Sequence, residues 1–223
     1  MPYIVLVRKY LLVLAAVAAL LNTGAELMDQ RSLVYLFKPL ATLALVAVVL
    51  TNTRRSHYGT WIGTGLVAAL AGDILLMLPQ GLFVPGLVAF LVAHLCFIRA
   101  FSIDGAGRRA PLLPGIPVVA AAIAVLVYLW PSLGPMRVPV ACYVATITTM
   151  SWQAIARWSV RRSPDAALAA LGSIFFLVSD SSLAINRFAA PFAGATLVVI
   201  GTYYAAIWGL ALSVRETASE TAS

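Results

Sequence analysis

Apolar residues along this chain do not recur on one face of a helix. They fill whole windows, at about 4–22, 33–51, 60–78, 82–101, 111–130, 136–157, 166–187 and 192–213. A helix rises ~1.5 Å per residue, so about 20 apolar residues cross a hydrocarbon layer ~30 Å thick. Each window is close to that length, and the pattern predicts an all-α polytopic membrane protein of eight transmembrane helices in one bundle. Strands are excluded, because an isolated strand leaves its backbone unpaired in lipid and these runs are too long for the alternating ~10-residue strands of a membrane barrel. Breakers mark the joints: Pro79-Gln80-Gly81, Gly105 to Pro111, Pro131 to Pro135, Ser163-Pro164 and Pro191. No joint is long enough for a second domain. Residues 1–223 thus read as a single eight-helix domain that ends in a short polar tail at 216–223.

Composition agrees, with 62% hydrophobic and 10% charged residues where a soluble domain is closer to half apolar and a quarter charged. The net charge of +7 raises nucleic acid as a partner, but Lys and Arg fall in small groups between apolar windows. That placement fits membrane orientation and not a nucleic-acid footprint. One side collects Arg8, Lys9, Arg54, Arg55, Arg99, Arg108, Arg109, Arg157, Arg161, Arg162 and Arg215, against Arg31, Arg137 and Arg187 on the other. Short cytoplasmic loops retain basic residues, so both termini are expected in the cytoplasm, and in a bacterial host the protein would sit in the plasma (inner) membrane. The stretch from Arg8 through Leu21 to Ala25 has the outline of a signal peptide. Its apolar character begins at Ile4 and seven windows follow, so it is read as an uncleaved first span. Cys96 and Cys142 follow no metal or disulfide spacing and read as small buried hydrophobes.

Ionisable groups inside a span cost a few kcal/mol and normally face the bundle interior, where they are functional candidates. Lys38, Asp73, His94, Asp180 and the pair Asn186-Arg187 stand out. With the orientation above, Lys38, Asp73 and Asp180 each lie five to seven residues from the non-cytoplasmic end of their helices, ~7–11 Å below the edge of the hydrocarbon. They can share one polar pocket. His94 lies near mid-span and Arg187 close to the outer surface. Bland readings stand beside these. Lys38 can snorkel to the interface; the aspartates can be structural ion pairs or interhelical hydrogen bonds. His94 can be an interhelical hydrogen-bonding residue, Tyr203, Tyr204 and Trp208 packing residues, and Arg187 an interface anchor or a phosphate contact. Gly72-Asp73-Ile74-Leu75-Leu76 in the third window echoes Ser179-Asp180-Ser181-Ser182-Leu183 in the seventh, which would be equivalent positions if four spans at 1–104 and 105–215 were duplicated.

Absent features narrow the chemistry. His57 and His94 are the only histidines, and His57 falls in a joint, so a three-histidine zinc site cannot be built and a metal-free site without cofactor is implied. There is no Gly-x-Ser-x-Gly elbow and no serine with a convincing histidine partner. What remains for acid–base work is the pair of buried carboxylates.

Phe37-Lys38-Pro39-Leu40, Gly72-Asp73 with Leu76, Phe90 with His94, the run from Phe176 to Phe188 and Tyr203-Tyr204 together resemble the YhhN family of membrane proteins, which includes the lysoplasmalogenases. The resemblance covers nearly the whole chain, and Ser179 to Phe188 is its most specific part. It implies an eight-span hydrolase that splits the vinyl ether of a lysoplasmalogen into a fatty aldehyde and a glycerophospho-ethanolamine or -choline. By motif, the proposed catalytic aspartates of the family carry over to Asp73 and Asp180. Lys38, His94, Asn186, Arg187, Tyr203 and Tyr204 become candidate substrate contacts. After the tyrosines the family often has a glutamine where this chain reads Ala205-Ala206-Ile207, which puts the choice of head group in question. Vinyl-ether hydrolysis needs a proton donor and a nearby anion, and two carboxylates in one low-dielectric pocket do not easily both ionise. The rival expectation is a proton-coupled transporter or lipid-moving protein relaying protons through the same carboxylates, for which paired Gly/Pro breaks within corresponding spans would be the sign.

Overall fold

Backbone N–H and C=O groups in a hydrocarbon layer have no water to bond, and this chain satisfies them within helices. The computed structural model describes residues 2–52, 56–105 and 113–214. Arg54, Arg55, Arg108, Arg109, Pro111, Arg215 and the predicted tail at 216–223 lie outside the described residues. Eight α-helices follow in order: α1 (Pro2–Leu27), α2 (Arg31–Asn52), α3 (His57–Met77), α4 (Phe83–Ser102), α5 (Ile116–Leu129), α6 (Arg137–Arg161), α7 (Pro164–Ala184) and α8 (Ala195–Leu212). Short 3₁₀ turns flank α5, and α7 runs on into a π-helical turn at Ile185–Ala189. The ends have local causes. The Ser56 hydroxyl accepts the Gly59 N–H at 3.0 Å to cap α3, Pro164 starts α7 in the first turn where its missing N–H costs nothing, and Gly194 enters α8 with φ +79°.

Seven of the eight predicted spans are long and apolar enough to cross a membrane; the exception is α6. The 136–157 window does form a helix, but it carries Thr146, Thr148, Thr149, Ser151 and Gln153 among its apolar residues. Those polar groups are satisfied inside the protein. The three threonine hydroxyls donate to the carbonyls of Cys142, Val144 and Ala145, four residues back, at 2.6–2.8 Å. The Ser151 hydroxyl donates to the Ser173 carbonyl of α7 at 3.1 Å, and Ser102 of α4 donates to Gln153 at 3.0 Å. A helix tied to α4 on one side and α7 on the other is a central element.

Each helix packs on the next from α1 to α4, α4 passes to α6, α6 to α7 and α7 to α8, and α8 returns to α1 and α2. The result is a ring, with α5 leaning on α6 outside it. The half of the ring nearest the chain termini is filled by Leu45, Ile62, Leu66, Phe97, Phe101, Met150, Ile207 and Leu210, all fully or almost fully buried. At its rim the buried Arg157 and the half-exposed Arg161 meet Asp104 at 2.8 and 2.6 Å. The expectation that both cysteines are buried is half right. Cys96 is buried, but Cys142 is exposed on the outer face of α6, where a small apolar side chain needs only lipid.

α7 and α8 approach one another backbone to backbone. A Cβ added at Gly209 would lie 2.9 Å from the Leu168 carbonyl oxygen and 3.0 Å from the Gly172 Cα. Backbone atoms do not give way as a side-chain tip does. Gly209→Ala is therefore expected to destabilise the bundle by about 1–3 kcal/mol. Gly24→Ala, in α1 with open space around it, should be neutral or stabilising through helix propensity of ~1 kcal/mol. Unfolding titrations in mixed micelles give both values, and equal effects of the two substitutions would refute the close-packing account.

Candidate active site

The half of the ring away from the termini is not filled. A cavity of about 320 Å³ lies among the ends of the helices there. Its two sides differ. Leu87 and Phe90 of α4, Val125 and Leu129 of α5, and Val144 and Ile147 of α6 make an apolar wall, whereas Asn22 and Glu26 of α1, Lys38 of α2, Asp73 of α3 and Tyr203 and Tyr204 of α8 make a polar one. Asp180 of α7 also lines the cavity.

Asp73 reaches this place because Gly72 precedes it: a Cβ at Gly72 would lie 2.6 Å from the Phe90 ring, so glycine lets α3 and α4 close. The Asp73 side chain is 3% exposed. Lys38 Nζ lies 3.4 Å from its Oδ1, and the Tyr203 hydroxyl donates to its Oδ2. Lys38 is thus a pocket residue and does not snorkel, with only 17% of its side chain exposed. Three helices, α2, α3 and α8, meet at this one carboxylate.

Asp180 belongs to a second constellation. The Tyr143 hydroxyl of α6 donates to Asp180 Oδ2 at 2.5 Å, and His94 Nε2 of α4 lies 2.8 Å from the same hydroxyl. His94 Nδ1 is buried without a partner. The histidine is fully buried, with its ring edge-on to Phe176 at 4.7 Å. Its Nε2 also lies 3.4 Å from Asp180 Oδ2, yet it is not among the residues lining the cavity.

The predicted residues therefore divide. Lys38, Asp73 and Asp180, set at one depth by the sequence, line one cavity together with Asn186, Tyr203 and Tyr204, while His94 and Arg187 do not. Arg187 is exposed, and its guanidinium stacks 4.0 Å over the Phe83 ring. No hydrogen bond joins Asp73 to Asp180 among the described residues; each carboxylate has its own tyrosine. Ala206 and Ile207 are fully buried and the cavity lining stops at Tyr204, so the segment that departs from the family pattern is a packing segment here. Sequence reasoning missed Tyr143, Asn22 and Glu26. A tyrosine near a helix end is ordinary in membrane proteins, and Asn22 with Glu26 sits at the fading edge of the first apolar window. The one available signal was the spacing of four, which places Asn22 and Glu26 on one face of α1. Among the described residues no cluster of three or more His, Cys, Asp or Glu side chains could hold a metal ion.

Residues 33–214 match the profile of the YhhN family. A protein named Lysoplasmalogenase TMEM86B from Sus scrofa is 31% identical over 193 residues, covering 85% of this chain and 79% of the relative. One named Lysoplasmalogenase from Mycobacterium tuberculosis is 33% identical over 183 residues, covering 78% of this chain and 67% of its own. The TMEM86B lysoplasmalogenase from Homo sapiens is 33% identical over 174 residues, covering 77% and 70%. No solved structure matches the chain.

Removing one partner of a buried ion pair strands the other. Lys38→Met is expected to lower stability by about 3 kcal/mol. Adding Asp73→Asn should restore much of that loss, since the amide keeps an acceptor for the Tyr203 hydroxyl without a buried charge. Losses that simply add in the double variant, measured by unfolding in mixed micelles, would show that the two groups do not interact.

Proposed function

The chain belongs to the YhhN family, and from that premise we propose that it is an integral membrane lysoplasmalogenase, hydrolysing the vinyl ether of a lysophospholipid to a fatty aldehyde and a glycerophospho head group. The observation that carries this reading is the cavity itself, where two carboxylates stand between an apolar wall and a polar one. A lysoplasmalogen has the matching three parts: a single alkenyl chain, an ether oxygen at its end and a charged head. The chain lies against α4, α5 and α6, and the head against α1, α2 and α8. Because α5 packs on α6 outside the ring while both α4 and α5 line the cavity, the alkenyl chain enters from the lipid between them.

Hydrolysis begins when a proton is added to the β-carbon of the vinyl ether, turning the double bond into an oxocarbenium ion. Water then attacks the cationic carbon, loses a proton and leaves a hemiacetal, which collapses to aldehyde and alcohol. Asp180 supplies the first proton. Its Oδ2 is held by the Tyr143 hydroxyl, which leaves Oδ1 to carry the proton that moves. Asp73, beside the Lys38 ammonium, is the carboxylate that stabilises the cation and accepts the proton of the attacking water. Preorganised charge in a site with little water is worth more than the same charge in solution. The proton passes back to Asp180 through water before the next turnover.

The transporter reading asks for a different helix architecture. Mid-span breaks in corresponding helices are its sign, and α3 and α7 run unbroken past Asp73 and Asp180. On the reading that the basic residues keep both termini in the cytoplasm, the cavity faces the other leaflet.

Purified protein should release aldehyde from a 1-alkenyl lysophospholipid and nothing from its 1-alkyl analogue, which has no double bond to protonate. Asp73→Asn and Asp180→Asn should each lower aldehyde release by about 10²–10⁴-fold, the range for a lost acid or base. Unchanged release from both variants would overturn the assignment, and release of head group from the alkyl and alkenyl lipids alike would make the protein a phosphodiesterase.

A further inference from the structure

Three polar side chains of the cavity's polar wall take no part in the chemistry above. Asn22 is fully buried, and neither its amide nitrogen nor its amide oxygen has a hydrogen-bond partner. Tyr204 is 7% exposed; its hydroxyl has the Asn22 amide beside it but makes no well-formed hydrogen bond. Glu26, one helical turn beyond Asn22 on the same face of α1, is half-buried and makes no ion pair or side-chain hydrogen bond among the described residues. All three line the cavity. Buried polar atoms are almost always satisfied, because leaving one unpaired forfeits its hydration with nothing in return. Two such residues beside an unpaired carboxylate, in a wall that faces empty volume, mark a site whose partner is a ligand.

The donor and acceptor count says which ligand. The Glu26 carboxylate, the Asn22 amide oxygen and the Tyr204 hydroxyl are three acceptors, and one of them is charged. A primary ammonium offers three N–H donors and a positive charge. The Asn22 amide nitrogen is left as a donor next to them, and it suits an anionic oxygen a short distance from the ammonium. A head group with a phosphate and a primary ammonium on neighbouring carbons supplies both. A trimethylammonium supplies charge but no donor, and it leaves the Asn22 and Tyr204 oxygens as unsatisfied as they are without it. The aromatic rings that could compensate by facing a quaternary ammonium are not arranged as a cage: Tyr203 and Tyr204 are tilted at 49° with their centroids 5.7 Å apart, and the Tyr203 hydroxyl is committed to Asp73.

We propose that Asn22, Glu26 and Tyr204 form an ammonium subsite that selects lysophospholipids with a primary-amine, ethanolamine-type head group over those with a trimethylammonium head. The subsite rests on the reading of the cavity as a lysophospholipid site, but not on the vinyl-ether chemistry. Contacts to the head group leave the reacting carbon–oxygen bond untouched, so selection here acts on binding and changes KM and Kd more than kcat.

The test uses full-length protein in micelles and three 1-alkyl lysolipids that cannot be hydrolysed, carrying phosphoethanolamine, phosphocholine or bare phosphate. Titration of wild type is expected to give a Kd at least tenfold lower for phosphoethanolamine than for the other two. Glu26→Gln should erase most of that difference while leaving the bare phosphate lipid bound within twofold of wild type. Tyr204→Phe, which removes a single acceptor and keeps the ring, should erase part of it. Equal affinity of wild type for all three lipids overturns the subsite, and so does a Glu26→Gln effect of the same size on every head group. Because the readout is binding of lipids without a vinyl ether, a protein that discriminates heads but releases no aldehyde would sink the hydrolase reading and uphold the subsite. Aldehyde release without discrimination would do the reverse.

Discussion

Most of the cavity half of this bundle follows from one carboxylate that has no access to water. Asp73 is 2% exposed inside a ring of apolar helices. An ionised carboxylate moved from water to such a place loses several kcal/mol even after relaxation, and only a close counter-charge with further hydrogen bonds offsets this. Here the ammonium comes from α2 and the hydroxyl from α8. Because neither partner is near Asp73 in sequence, satisfying one side chain obliges α2, α3 and α8 to converge. That convergence also helps to close the ring, in which α8 returns to α1 and α2.

The rest of the division of labour can be read against that convergence. At the terminus-bearing end the ring is filled with interlocking aromatic and branched side chains, and α7 and α8 approach until glycine faces glycine. In lipid no hydrophobic effect drives one helix onto another, so small residues and internal hydrogen bonds hold the bundle together. The hydroxyl-bearing face of α6 serves the same purpose between α4 and α7. A half that is well held in this way allows the other half to be hollow. The π-helical turn after α7, where Asn186 lines the cavity and Arg187 is stacked on Phe83, lies at the rim of the hollow half.

The number of helices and the common depth of Lys38, Asp73 and Asp180 were legible in the sequence because both depend on distance along a helix axis, which residue number measures directly. Azimuth was not legible. Nothing in an apolar window says that Tyr143 faces Asp180 or that Arg187 faces away, since the windows are hydrophobic all round and carry no stripe to orient them. Cys142 shows the same gap: it falls in an apolar window like Cys96, yet one faces lipid and the other protein. α6 shows that polarity along a window is ambiguous too, because threonines that bond their own helix count as polar in composition and as apolar in the fold.

Azimuth also changes how the two aspartates are to be thought of. Equal depth alone suggests a pair of carboxylates sharing a proton. Two separate tyrosines instead give each its own hydrogen bond and its own neighbour, a lysine for Asp73 and a histidine shared with the tyrosine for Asp180. Two carboxylates in unlike surroundings can hold unlike roles throughout a cycle, one as proton donor and one as fixed charge, whereas a symmetric pair must exchange them. Protonation of a carbon atom, followed by capture of a cation, requires that kind of asymmetry: the proton has to arrive on one atom while the negative charge waits beside another. The difference between the surroundings of Asp73 and Asp180 is therefore a stronger argument for vinyl-ether chemistry than the presence of two acids in one cavity.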